Sequence, residues 1–181
     1  YAARLAAVEH KLVVEIARGC ITRLGPNGRK SVLATPGGGP NGAAFGPDGY
    51  LYVCNNGGFA WKTVDGRLVP AGQPDDYSGG RIERVDIDTG KVEVIYTSCN
   101  GHPLRGPNDI VFDRTGGFYF TDHGKRRPRE VDLGGLYYAR TDGSLITEIA
   151  EARAVDVDEA DDLRCQRRHP DTNPQSQGHR P

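Results

Sequence analysis

Residues 40–57 and 107–124 are two versions of one segment, aligned without a gap at an offset of 67. Pro40 falls on Pro107, Asn41 on Asn108, Phe45 on Phe112, Gly49 on Gly116, Tyr52 on Tyr119 and Gly57 on Gly124. Repetition at this scale points to a fold built of repeated units that bury their apolar faces against one another. Each copy carries two strand-like runs joined by a Gly-bearing turn, which is a β-hairpin pattern. A second kind of hairpin follows. Residues 19–24 lead through Gly28 to 31–33, residues 80–85 through Gly90 to 92–95, and residues 135–140 through Gly143 to 145–147. Four strands per unit, recurring about every 40 to 65 residues, is the rhythm of propeller blades. A β-sandwich also has hairpins at this spacing, but it does not need the same sequence twice. The expected fold is therefore all-β, a partial β-propeller of about three blades.

The rest of the chain agrees with a turn-rich β protein. Short β-prone runs at 11–16, 51–54, 81–87, 91–96 and 118–121 are bounded by Asn, Asp, Gly and Pro, among them Asp48 with Gly49, Thr89 with Gly90 and Asp142 with Gly143. Gly 25 and Pro 12 are high for 181 residues. A formal net charge of −1 gives no reason to expect nucleic acid or an anionic membrane as partner. No apolar run approaches the ~18 residues of a membrane span, and no secretory signal is visible. Cys20, Cys54, Cys99 and Cys165 are scattered, with no Cys-x-x-Cys pair, so a zinc site is not expected. Reduced, structural cysteines and a cytoplasmic location are the expectation.

Two stretches break the rhythm. Residues 59–78 hold Trp61, Gly66, Pro70, Pro74, Asp75 and Asp76, and read as a long excursion between strands of one blade. Trp61 suits either a pocket mouth or an anchor that pins the loop. From about Arg153 the β pattern stops, and an acidic run is followed by a basic one and then by Pro, Gln, Asn and Gly. The expected division is a propeller fragment over 1–152 and a tail over 153–181, disordered or read out of frame. The first residue is Tyr rather than Met.

The repeat also indicates where a site would lie. Pro restricts the backbone before each Asn, so the Asn side chain is aimed rather than left mobile. Asn108 offers a hard neutral oxygen suited to Ca²⁺ or Mg²⁺, and Asn41 holds the same place one unit earlier. Local backbone capping explains both asparagines equally well. Asp122 and His123 follow the second strand and could serve acid–base chemistry, although Asp122 also suits a structural strand-end bond. Arg105, three residues before Asn108, could bind a polar or anionic substrate. His102 is a weaker candidate in the same loop. No Gly-x-Ser-x-Gly elbow, phosphate loop or dinucleotide fingerprint is present.

Residues 104–112 and 116–122, with Pro107, Asn108, Asp109 and then Phe120, Thr121, Asp122, resemble the family that joins senescence marker protein (regucalcin), gluconolactonase and luciferin-regenerating enzyme. Residues 40–45 and 51–57 resemble the preceding blade, and the likeness covers roughly residues 11–150. The resemblance implies a six-bladed propeller of about 300 residues with one divalent cation, usually Ca²⁺, in its central channel. It implies hydrolysis of sugar lactones, with phosphotriesters as substrates of relatives. It implies a metal held by a Glu from a Glu-Gly-Pro motif, by Asn side chains and by a later Asp, acting as Lewis acid. On this basis Asn108 faces metal or substrate, and Arg105 lies near a substrate-binding Arg of some members.

The chain departs from that pattern. Sliding the repeat back one unit, so that Asn55 falls on Glu15, sets Asn41 over Tyr1, where the metal-binding Glu should fall, and no Glu-Gly-Pro is present. Glu9 lacks that context, and no further Pro-Asn-Gly follows Ile149. The expectation is about half a propeller with open sheet edges prone to self-association, weak Ca²⁺ binding and little or no lactonase activity. The alternative is a non-catalytic propeller that binds a ligand or protein.

Overall fold

The computed structural model describes residues 11–152, with side chains to residue 150. The expected tail over 153–181, Cys165 within it, and the positions Tyr1 and Glu9 lie outside the described residues. The fold is all-β, with three main antiparallel sheets. The first sheet pairs Lys11–Glu15, Cys20–Leu24 and Lys30–Ala34. The second pairs Pro40–Phe45, Leu51–Asn55, Arg81–Val85 and Val92–Tyr96. The third pairs Pro107–Phe112, Gly117–Asp122, Gly134–Arg140 and Ile146–Ala152. Strand order follows chain order in each, the meander of a propeller blade. The first sheet supplies the second to fourth strands of that pattern, since Lys11–Glu15 takes the place that Leu51–Asn55 holds in the second.

The innermost strand of the second sheet, Pro40–Phe45, packs beside Pro107–Phe112 of the third and beside Lys11–Glu15 of the first. The sheets are thus stacked about a common inner edge. Alternation of side chains along each strand supplies an apolar face to either side. Leu51, Val53 and Val85 meet Ile21 and Ala34 of the first sheet. Tyr52, Cys54, Ile82 and Tyr96 meet Leu104, Ile110, Phe118, Phe120 and Ala139 of the third unit. All five residues of Leu51–Asn55 are buried, whereas Gly117–Asp122 alternates buried and exposed beyond its first pair. The second sheet is covered on both faces and the third on one. Phe118 centres the second interface, with ring centroids 5.5 Å from Tyr52, 5.4 Å from Phe112 and 6.1 Å from Phe120. Tyr96 closes its outer rim, donating its hydroxyl to the carbonyls of Arg140 at 2.7 Å and Leu145 at 2.8 Å.

The excursion over 59–78 holds more structure than its composition suggests. Trp61–Val64 and Arg67–Pro70 form a small hairpin. Asp65 and Gly66 turn it, with φ of 50° and 74°, the two positive values that a two-residue hairpin loop needs. Cys20, Cys54 and Cys99 are free and buried, and burial pushes the Cys54 thiol well up, as befits small core residues. Among the described residues no helix is long and apolar enough to cross a membrane.

Phe118→Ala would leave a cavity between the second and third sheets. A loss of about 3–5 kcal/mol in urea unfolding is expected, against less than about 0.5 kcal/mol for Val111→Thr on the open face of the third sheet.

Candidate functional site

The two copies of the repeat build the same end of the molecule with the same bonds. In the second sheet, Asn55 Oδ1 accepts the backbone N–H of Gly39 at 2.9 Å and of Gly57 at 3.0 Å. In the third, Asp122 Oδ1 accepts Gly106 N–H at 2.7 Å and Gly124 N–H at 2.8 Å. Gly39 and Gly57 fall on Gly106 and Gly124 in the repeat, so donors and acceptor correspond position by position. Asp122 Oδ2 adds Arg105 N–H at 2.7 Å, and Asn55 Nδ2 donates to Gly37 O at 2.9 Å and Glu83 Oε2 at 3.0 Å. Each side chain therefore ties the loop entering the innermost strand to the loop leaving the second. Gly106 must be glycine, because a Cβ there would lie 2.5 Å from Gly124 O and 2.9 Å from the His123 ring. Gly124 takes φ of 69° to return its N–H to the carboxylate.

That tie fixes Pro40 opposite Asn55 and Pro107 opposite Asp122, and in both sheets the register then slips before pairing resumes at Ala43 and Ile110. Asn41 and Asn108 sit within this irregularity. A bulge re-aims a side chain that simple alternation would send elsewhere. The two amides meet: Asn41 Nδ2 donates to Asn108 Oδ1 across the sheet boundary. Among the described residues no hydrogen bond occupies Asn41 Oδ1 or Asn108 Nδ2, one acceptor beside one donor. Asp109 is exposed and caps its own strand through Ile110 N–H at 2.9 Å.

Asp122 and His123 are neighbours without being partners, and among the described residues no hydrogen bond joins their side chains. The Asp122 carboxylate is buried and committed to three backbone N–H groups. His123 is exposed, lies over Phe59 with ring centroids 6.0 Å apart at 14°, and holds Nδ1 2.8 Å from Gly124 O. A carbonyl only accepts, so Nδ1 carries the proton and a neutral ring keeps its lone pair on Nε2.

Arg105 reaches a cleft of about 450 Å³ shared with His102, Asp132, Tyr137 and Glu148. Asp132 is gripped by Arg127 at 2.7 and 2.9 Å, and that guanidinium holds its carboxyl below the usual range. Arg105 stands 4.0 Å from the same carboxylate and keeps much of its side chain in solvent. It is thus loosely paired, and its backbone is held in place by Tyr77, whose hydroxyl donates to Arg105 O at 2.6 Å. Trp61 lines a separate cleft of about 240 Å³ with Phe59, Gly58, Pro74, Asp76 and Ser78.

Three groups of this region escape a reading of the sequence. Glu83 lies buried inside the second sheet, bonded to Arg81 at 2.5 Å, and burial raises its carboxyl. Tyr77 carries the clamp just described, within a stretch that reads as loop. Lys125 opens a run, Lys125, Arg126, Arg127, that reads as a solvated basic face, yet it is 3% exposed. A cation shell is not complete here. Calcium takes about six to eight oxygens, and among the described residues no three His, Cys, Asp or Glu side chains converge on one point. Asn108 and Asn41 supply neutral amide oxygens, which on their own do not fit such an ion.

Residues 5–155 match the family model for the SMP-30/Gluconolactonase/LRE-like region. The chain is 32% identical over 108 residues to the lactonase drp35 of Staphylococcus epidermidis, in two strains, which covers 60% of this chain and 27% of the relative. It thus spans about a quarter of the length of the curated relatives it matches. A gluconolactonase structure from Xanthomonas campestris superposes with a TM-score of 0.59 at 22% identity, covering 81% of this chain and 44% of that one. A second structure, assigned to the gluconolactonases, gives 0.55 at 19% identity over 78% and 44%. These likenesses bear out the partial propeller.

Asp122→Ala removes the acceptor of three buried N–H groups, and a loss of about 2–4 kcal/mol is expected. Asp122→Asn keeps two of them but turns an N–H toward Arg105 N–H, so its loss should be smaller, about 1–2 kcal/mol by the same unfolding assay. Calorimetric titration of the chain with Ca²⁺ should show no binding tighter than about millimolar, given the incomplete oxygen shell.

Proposed function

The chain belongs to the SMP-30/gluconolactonase/LRE-like family, and we propose that its Asn41, Asn108 and His123 end is the site of a hydrolase acting on a sugar lactone or related cyclic ester. The observation that carries this reading is the pairing of the two bulge asparagines across the sheet boundary, a donor and an acceptor side by side at the same end of the molecule as His123. His123 Nε2 accepts a proton from water as that water adds to the lactone carbonyl. The amide N–H of Asn108 donates to the oxygen on which charge develops, as an oxyanion donor does. When the ring C–O bond breaks, the imidazolium returns the proton to the leaving alkoxide, giving the open-chain hydroxy acid. Arg105 holds a substrate hydroxyl or the carboxylate formed. Asp122 acts as a positioning residue, because it aims the 105–108 loop and its oxygens are already occupied.

No step above uses a divalent cation, which the amide oxygens of Asn41 and Asn108 alone do not fit. General-base help and an oxyanion donor are each worth about 10²–10⁴-fold. Turnover by this chain alone is accordingly expected to be slow, and binding is the firmer readout. Titration with a hydrolysis-resistant sugar lactam should give saturable binding, weakened about tenfold by Asn108→Ala and by Arg105→Ala. A pH-stat assay with a sugar lactone should show His123→Gln slower than the parent by about 10²-fold. Absence of both saturable binding and turnover would sink the proposal. Binding without turnover, unchanged by His123→Gln, would favour a non-catalytic ligand-binding propeller.

A further inference from the structure

Lys125 leaves the second strand of the third sheet and runs inward beneath the second. Its Nζ donates to Gly58 O at 2.7 Å and to Asn56 Oδ1 at 3.4 Å. Its ammonium stands 4.0 Å from the centre of the Phe59 ring and 5.4 Å from that of Tyr77. Gly58 N–H bonds to Asn56 Oδ1 at 2.9 Å, so both groups that Lys125 reaches belong to one turn, and Asn56 Nδ2 is buried there with no partner among the described residues. This turn carries Phe59, which lies over His123 on one side and touches Trp61 edge-on at 5.9 Å on the other. Gly57 and Gly58 lead into it with φ of 78° and 110°, backbone conformations that favour glycine.

We infer that Lys125 is the seat of this aromatic wall: it docks residues 57–59 of the second unit against the third, and the charge on its amine sets how firmly Phe59 and Trp61 are held over His123. The functional consequence rests on the proposed hydrolytic site, since it is His123 that the wall orients.

The direction follows from competing terms. The attraction of a cation to aromatic faces is smaller than the cost of taking an ammonium out of water. One carbonyl at good distance and a second at 3.4 Å compensate that cost only in part. Burial accordingly pulls the Lys125 amine down from 10.5 to about 8, against the opposing pull of Asp122. A group that holds its proton less tightly when seated is unseated by protonation and settled by deprotonation. Seating therefore strengthens as pH rises from about 8 toward 10.5 and is weakest below that window. The other charged or titratable neighbours are Asp122 and His123 on its own segment, Tyr77 on the excursion, and Arg105 with Asp132 across the loop. Burial raises the Tyr77 phenol, and Arg127 holds the Asp132 carboxyl low.

The chain contains one tryptophan, so its emission reports this wall directly. Acrylamide quenching of Trp61 in the intact chain should fall about twofold between about pH 7.5 and pH 9.5. Lys125→Met, close in length and uncharged, should show the low value throughout. Lys125→Arg, charged throughout, should show the high value throughout. His123→Gln should keep the parent transition. Quenching that is flat with pH in the parent overturns the inference, as does a transition that survives Lys125→Met or disappears in His123→Gln. This readout needs no lactone, so it fails or succeeds separately from the proposed activity.

Discussion

One oxygen atom at the end of the second strand, taking N–H groups from two loops at once, organises the functional end of this molecule. Remove it and the entering loop has no fixed relation to the leaving one. The proline that starts the inner strand then loses its partner, and the bulge that aims the asparagine loses its origin. A buried acceptor shared by two glycine N–H groups is short-ranged and directional, and it acts where the backbone would otherwise carry unpaired polar groups. The two copies use it with different chemistry. Asn55 also donates, and this draws Glu83 and Arg81 into the second sheet as a buried ion pair. Asp122 can only accept, and it gathers a third N–H from the Arg105 loop instead.

Sheet stacking supplies the rest of the rigidity. The second sheet, covered on both faces, brings its inner strand beside that of the third, and Asn41 meets Asn108 across that line. Neither asparagine could find the other by local structure alone, since they belong to different copies of the repeat. The cross-sheet contacts of Tyr77 and Lys125 work on the same boundary, each reaching from one unit to a backbone carbonyl of the other.

Much of this was legible in advance, and for a physical reason. A gapless repeat records every position that the fold uses twice, so paired hairpins, paired asparagines and paired strand-end residues could be read from it. The excursion was harder. Asp65 and Gly66 are a recognisable two-residue turn, but the flanking strands are short and mostly exposed, and no alternation marks them. Lys125 left no signal at all, because a basic run looks solvated whether or not its first member turns inward. The slip after each Pro-Asn start was hidden too, since a bulge depends on pairing across strands rather than on composition.

The tie made by residues 55 and 122 relies on the side chain of one residue and the backbone of its neighbours. The next position along, Asn56 in one unit and His123 in the other, takes no part in that tie. An amide that buttresses a turn and an imidazole open to solvent occupy equivalent places with no change in the path of the chain. Duplicated units held together in this way can exchange reactive groups at a single position while the scaffold around them stays the same.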